Sequence, residues 1–576
     1  MKKIFISLVL LLALSLGSRA QDMYYAQTLS RNNYYGTARS MALGGAMTAL
    51  GGDLGSIAVN PAGSAVAGYG QFTITPGLLN AGSNTYYSAD GSDNYGSPFK
   101  TNRSKFNLSN VGLVMVFDTY DSSWLNWFTI GFVANNTNSF LNYSTGRGTN
   151  SSTSFLGSLA AGARGMASAD MPRDLYAGFA ANQFGEFGPA GSGNYVGSNE
   201  RLDPSERYHY LPATIDQAAM YNTYGSKTDL AFNFGFNVQD SFYFGFNLGT
   251  PVLNYHRQDV FTESSGGNSG AFPVIFTYEN QDRTIAYETT NYLNSSNTYS
   301  LNTSGAGINA RFGFIALPTK NLRVGAAIQT PTLYTIKEEW VYSASSSYEN
   351  SAFNGSARSS VGQTTYNLRT PYTVDAGVAY TLPGVGLLSL DYELMDYSVM
   401  KYSDTEVYSY FDTANWAREN IVNRTFCGVS HSLRAGIEAK PLPELSLRAG
   451  YSFVTNPEKY WTDASGARVT AETVQFRGDT SVIAQDLISS SYYKDVTHAF
   501  SLGAGYSSPG SFFADIAVRL TKYPVTYYSP YYYGAYDALD KDGRSLGVGA
   551  PVEKIEHNVI DFLLTFGWRF LNGDDS

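Results

Sequence analysis

Residues 560–570 alternate with a period of two. Ile560, Phe562, Leu564, Phe566, Trp568 and Phe570 share one strand face, and Asp561, Thr565, Gly567 and Arg569 share the other. A slip of one residue would carry Asp561 and Arg569 onto the apolar face, so the register is fixed. The pattern recurs upstream. Phe512, Ala514, Ile516, Val518 and Leu520 oppose Asp515 and Arg519, and Leu230, Phe232, Phe234 and Phe236 oppose Asn233 and Gly235. Phe242, Phe244, Phe246 and Leu248 oppose Gly245 and Asn247, and Leu447, Ala449, Tyr451 and Phe453 oppose Arg448 and Gly450. Such faces suit a soluble β-sandwich or a barrel whose outside meets lipid.

Connection lengths separate the two. Candidate strands lie at 68–80, 106–118, 127–140, 227–239, 241–262, 298–317, 321–343, 363–382, 386–402, 430–440, 445–455, 496–507, 511–527 and 557–570. Short links such as Gln239-Asp240 and Pro441 to Glu444 alternate with long ones such as 141–226 and 456–495. That rhythm predicts an all-β fold, a 14-stranded antiparallel transmembrane β-barrel with both ends on the short-turn side. Several strands exceed the roughly 9–11 residues that cross a bilayer, so the wall should project beyond it. Within the long 141–226 connection, Phe155 to Ala161 and Leu175 to Ala180 suit short helices. The tyrosines around 527–536 suit either an interfacial girdle or a ligand contact.

Met1-Lys2-Lys3, an apolar run from Ile4 to Leu16 and Ser18-Arg19-Ala20 predict a signal peptide over 1–20. A formal charge of −10 without a basic stripe argues against nucleic acid as a partner. Cys427 is the single cysteine and the five histidines stand apart, so no metal site is expected. No nucleophile elbow or phosphate loop appears, so neither catalysis nor a cofactor is expected.

Between the signal peptide and the first strand lies Ser40-Met41-Ala42-Leu43-Gly44-Gly45-Ala46, continuing small and apolar to Asn60-Pro61-Ala62-Gly63. Gly and Ala permit close backbone packing, and a segment this short is too small to be stable alone. Residues 21–66 are therefore expected to form a hatch inside the barrel of 67–571, with 572–576 as a tail. Asn60, Pro61 and Ala62 would sit at its movable contact with the wall. In the third strand, Ile130, Phe132 and Ala134 alternate normally, and then Asn135-Asn136-Thr137-Asn138 puts polar groups on both faces. Either a bulge turns them inward and opens the wall, with Asn135, Asn136 and Asn138 at the exit, or they stand above the membrane.

The run from Thr37 to Ala46 with Gly44 and Gly45, then Ala49 to Asp53, then Asn60 to Gly63, resembles the N-terminal signature of the FadL-type family of outer-membrane transporters for hydrophobic compounds. Arg369-Thr370-Pro371-Tyr372 and Leu447 to Tyr451 are also similar. The resemblance implies a fourteen-stranded barrel closed by an N-terminal hatch in the outer membrane of a Gram-negative bacterium. It implies capture of hydrophobic small molecules such as long-chain fatty acids at extracellular loops, passage through the lumen and release sideways at strand three. The implied partners are the hydrophobic ligand, outer-membrane lipid and lipopolysaccharide, and the barrel-assembly machinery, with the chain a monomer. A FadL-like barrel serving type 9 protein secretion and a barrel enzyme acting on lipids stay open as alternatives.

Overall fold

The computed structural model describes residues 22–33, 36–90, 94–119, 122, 124–189, 191–202, 209–279, 285–405, 416–466, 468–471, 474, 476–477, 481–482, 487–531 and 551–570. The expected signal peptide, the tail 572–576 and Tyr532, Tyr533 and Tyr536 lie outside them.

Fourteen antiparallel strands close on themselves. They are β1 Gly70–Ser88, β2 Phe99–Asp118, β3 Trp127–Asn138 continuing as Asn142–Asn150, and β4 Ile215–Val238. Next come β5 Phe242–Gly249 with Val252–Ser264, β6 Ile285–Ala316, β7 Leu322–Gln329 with Leu333–Tyr348, and β8 Gly362–Arg369 with Thr373–Leu382. The round finishes with β9 Gly386–Asp396 with Lys401–Asp404, β10 Val429–Leu442, β11 Leu445–Thr455, β12 Val496–Ser507, β13 Phe512–Lys522 with Thr526–Tyr528, and β14 Val552–Phe570. Each strand pairs with its neighbours in sequence, and β14 pairs with β1 from Gly70↔Phe570 to Ser88↔Val552. The count and the antiparallel closure match the expectation from connection lengths.

The alternation is physical. Phe562, Leu564, Trp568 and Phe570 are exposed on the outside, while Asp561 and Thr565 are fully buried within. Phe232, Phe234, Phe242, Phe244, Ile516 and Val518 continue the same outward apolar belt. Beyond the belt the wall continues toward the long-loop end with polar outward residues such as Asn102, Ser104, Asn254 and Ser304. This explains a difference in strand length. β1 and β2 run through segments expected to be loops, because strand geometry persists where the outward face meets water instead of lipid.

Six strands are interrupted near the upper edge of the belt. Pro251, Pro331, Pro371 and Pro524 stand in the gaps of β5, β7, β8 and β13, where a proline lacks the N–H a ladder needs. Threonine hydroxyls take over part of the bonding: Thr332 N donates to Thr370 Oγ1 at 3.0 Å and Ala310 N to Thr330 Oγ1 at 3.0 Å. β3 and β9 are interrupted without a proline.

The long-loop end carries helices α3 Phe155–Ala163, α4 Arg173–Ala180 and α5 Ala417–Phe426. The first two cover the segments whose composition suits short helices. Tyr531 packs there against Phe155 and Phe261 instead of forming a girdle.

Candidate functional site

The described residues of segment 22–68 lie inside the barrel. They include α1 Met23–Ser30, α2 Ala38–Ala42 and two 3₁₀ turns, Leu54–Ala58 and Pro61–Val66. α2 ends in a Schellman turn: Gly45 N bonds Ser40 O at 2.9 Å and Gly44 N bonds Met41 O at 3.0 Å, with φ of 68° and 80° at Gly44 and Gly45. A Cβ on Gly44 would also stand 2.9 Å from Tyr451 N.

So little regular structure leaves many backbone groups of this segment unpaired, and the wall supplies their partners. Asn233 Nδ2 donates to Pro61 O at 3.0 Å, Asn247 Nδ2 to Ile57 O at 2.9 Å, Arg311 Nη1 to Val59 O at 2.6 Å and Ser389 Oγ to Ala46 O at 2.8 Å. Thr48 N donates to Asp391 Oδ2 at 2.6 Å and Ala38 N to Thr565 Oγ1 at 2.8 Å. The wall's polar inner face thus serves the backbone of the segment it encloses.

Where the two approach most closely, the wall has no side chains. Gly235, Gly245 and Gly313 pair directly across β4, β5 and β6, Gly325 pairs with Gly377 across β7 and β8 two residues out of step with Gly313, and Gly436 pairs with Gly450 across β10 and β11. A methyl group on Gly245 would overlap Pro61 and Ala62, on Gly313 it would overlap Asn60, and on Gly325 Thr48 O. Asn60 is fully buried. Its Oδ1 accepts from Ala62 N at 3.0 Å, and its Nδ2 donates to Thr48 O at 2.7 Å and Phe314 O at 3.0 Å. Asn60, Pro61 and Ala62 therefore rest on this glycine girdle, while Gly44 and Gly45 meet β10 and β11 at Tyr451 and Arg434. The girdle escaped the sequence reading, although its signal, a glycine at an inward position of strand after strand, was present.

The other singled-out residues lie on β3, the neighbour of β4. β2 and β3 pair from Asp118↔Trp127 only as far as Asn110↔Asn135. Above that rung β3 bends inward, with a register shift against β4 between Asn136 and Asn138. Asn135, Asn136, Thr137 and Asn138 are all buried. Two of their bonds go to the inner segment: Asn33 N donates to Thr137 O at 2.7 Å and Asn138 Nδ2 to Arg31 O at 3.3 Å. At the bend, Phe140 adopts φ 52°, a left-handed conformation costly for an aromatic residue, and packs edge-on against Tyr255 at 5.3 Å.

Lys227 on β4 joins the parts. It is 2% exposed, and its Nζ donates to Leu29 O at 2.9 Å, Ser30 O at 3.1 Å and Arg31 O at 2.6 Å, capping the C-terminal end of α1. A polar cavity of about 20 Å³, room for roughly one water, lies beside Lys227, Asp229, Asn32 and Thr137. α1 buries Met23, Tyr25, Ala26 and Leu29 in an apolar chamber with Phe140, Tyr255, Tyr334, Ile336, Tyr366 and Leu368. Lys227 has no local sequence signal, because a lone lysine on a strand normally faces water.

These features define a closed, single-chain fourteen-stranded barrel with its N-terminal segment folded inside and one strand bent out of the wall. No family model matches the chain, and no curated protein matches it. Among solved structures it is similar to the Pseudomonas putida toluene transporter TodX at 11% identity, covering 94% of this chain and 100% of that one with a TM-score of 0.44. It is similar to the Ralstonia pickettii toluene transporter TbuX at 12% identity, 94% and 100% coverage and a TM-score of 0.44. It is also similar to a Pseudomonas aeruginosa FadL homologue at 10% identity, 92% and 98% coverage and a TM-score of 0.44.

Proposed function

We propose that this protein sits in the outer membrane of a Gram-negative bacterium and takes up hydrophobic small molecules such as long-chain fatty acids, releasing them sideways into the bilayer. The observation that carries this reading is the loss of β2–β3 pairing above Asn110↔Asn135, beside the outward apolar side chains Phe106 and Leu108, which are 68% and 47% exposed. A hydrophobic molecule in the lumen gains nothing by re-entering water. A wall opening delivers it to hydrocarbon, with about 0.8 kcal/mol per CH₂ favouring that transfer. Residues 21–66 act as the hatch that closes the direct route, seated through Asn60, Pro61, Ala62, Gly44 and Gly45. Asn135, Asn136 and Asn138 hold β3 in its bent course, and Phe140 stands between chamber and opening.

A bifunctional thiol reagent joining Asn107→Cys on β2 to Ser226→Cys on β4 tests the route. Uptake of a labelled fatty acid into vesicles should stop while binding persists. Uptake at the uncrosslinked rate would remove the opening from the mechanism.

A further inference from the structure

Where β3 leaves the wall, β2 and β4 face each other across it, and two cations span the space. Arg103 donates to Asn222 Oδ1 and Lys105 Nζ to Gly225 O, both from β2 to β4. The Arg103 guanidinium lies 5.0 Å over the Tyr224 ring and 6.0 Å from that of Tyr143. Both side chains are half-buried and alternate along β2 with the outward residues Ser104 and Phe106.

Their acceptors are neutral, as those of Lys227 are, whereas four arginines of the lumen pair with carboxylates. Arg311 pairs with Asp375, Arg434 with Glu393, Arg448 with Glu438 and Asp515, and Arg519 with Asp561. Among the described residues neither Arg103 nor Lys105 forms an ion pair with a carboxylate. An anion would form stronger, charge-assisted hydrogen bonds with both than the present acceptors do. It would also release the two bridges that tie β2 to β4.

We propose that Arg103 and Lys105 form a headgroup site for anionic amphiphiles at the wall opening, binding a carboxylate while the apolar tail lies along Phe106 and Leu108. An ionised headgroup incurs a large desolvation cost at a low-dielectric opening unless it is protonated or meets a counter-charge, and these two side chains provide the counter-charge. The site selects carboxylate-bearing chains over uncharged molecules of the same length. It rests on the sideways route proposed above.

The test uses the purified full-length protein in non-ionic detergent, with dodecanoate, dodecan-1-ol and dodecyl phosphate as probes for calorimetry, and the same probes for uptake into vesicles. The wild type should bind dodecanoate about tenfold more tightly than dodecan-1-ol, the factor that 1.4 kcal/mol makes. The R103M/K105M double variant should bind both alike, and R103K/K105R should keep the preference. Heat-dependent gel mobility identifies variants that fail to fold, and the single variants R103Q and K105Q then stand in for the double one. Equal binding of the two C12 probes by wild type, or an undiminished preference in R103M/K105M, overturns the site. A preference for dodecyl phosphate without one for dodecanoate assigns the cations to membrane lipid and overturns the cargo reading. Uptake of dodecan-1-ol by both proteins alongside either result leaves the transport reading standing. No uptake of any probe by wild type removes that reading instead.

Discussion

Asn110 on β2 donates its side-chain amide to Asn135 Oδ1 on β3 at 2.7 Å, at the last rung the two strands share. Thr73 Oγ1 on β1 donates in turn to Asn110 Oδ1 at 2.7 Å. All three are buried. The fork in the wall therefore starts at a side-chain zip running over three strands.

Asn135→Ala should lengthen the fork. It leaves the buried Asn110 amide without its acceptor, a loss of about 1–3 kcal/mol. Hydrogen exchange at Val133 and Ala134 should speed up, while Asn135→Asp, which keeps the acceptor, should restore protection. Unchanged exchange in the alanine variant would show that the zip does not hold the rung.

Gly313→Ala should unseat the hatch. The added methyl meets Asn60 and Pro61 in the tightest part of the girdle. Single-channel recordings in planar bilayers should show small-ion leakage that the wild type lacks. Gly96, with nothing near its Cβ position, supplies the control, and Gly96→Ala should stay tight.

Lys227→Met should loosen α1. Three backbone carbonyls at the helix end lose a buried donor, each at a cost of about 1–3 kcal/mol if left unsatisfied. Amides of residues 26–31 should exchange at least tenfold faster, with the barrel strands unaffected. Equal exchange across the two proteins would remove Lys227 as the anchor.

Glu553 should make the long-loop half of the wall pH-sensitive. Its side chain is fully buried in β14, neither oxygen has a hydrogen-bond partner among the described residues, and burial pushes its carboxyl from its ordinary 4.5 up to about 8. The folded protein keeps that proton between these values while the unfolded chain gives it up. Stability is thus greatest below pH 4.5, falls as pH rises across the window, and is level above about 8. The unfolding temperature should drop between pH 5 and pH 9, and Glu553→Gln should reduce that drop. An equal drop in both proteins would assign it to other groups.

The barrel was legible in the sequence because its two determinants are local. Outward apolar residues must alternate with inward polar ones, as Phe562 and Asp561 do, and the turns must alternate in length. Wall regions beyond the belt were harder to read, since Asn102 and Ser104 carry strand period without apolar contrast. The inner segment was visible as small residues, yet its seat was not, because the girdle exists only once strand pairing sets Gly235 beside Gly245 and Gly313, and Gly325 beside Gly377. Asn135 to Asn138 showed that something must bend. The partners Arg31 and Asn33, about a hundred residues away in the chain, left no mark on that stretch. Arg103, Lys105 and Lys227 were missed because charged residues on strands ordinarily face water.

The seam between β14 and β1 has a consequence for the order of assembly. The inner segment joins the wall at Gly70, where β1 meets Phe570, the last paired residue of β14. Its loops fit the glycine rows too closely to be threaded into a finished cylinder. The segment must be in place while the sheet is still open, with strands two to thirteen curling around it like a mould around a core. Zipping of the first strand to the last is then the final step of biogenesis, and the chain's own beginning is sealed in by its end.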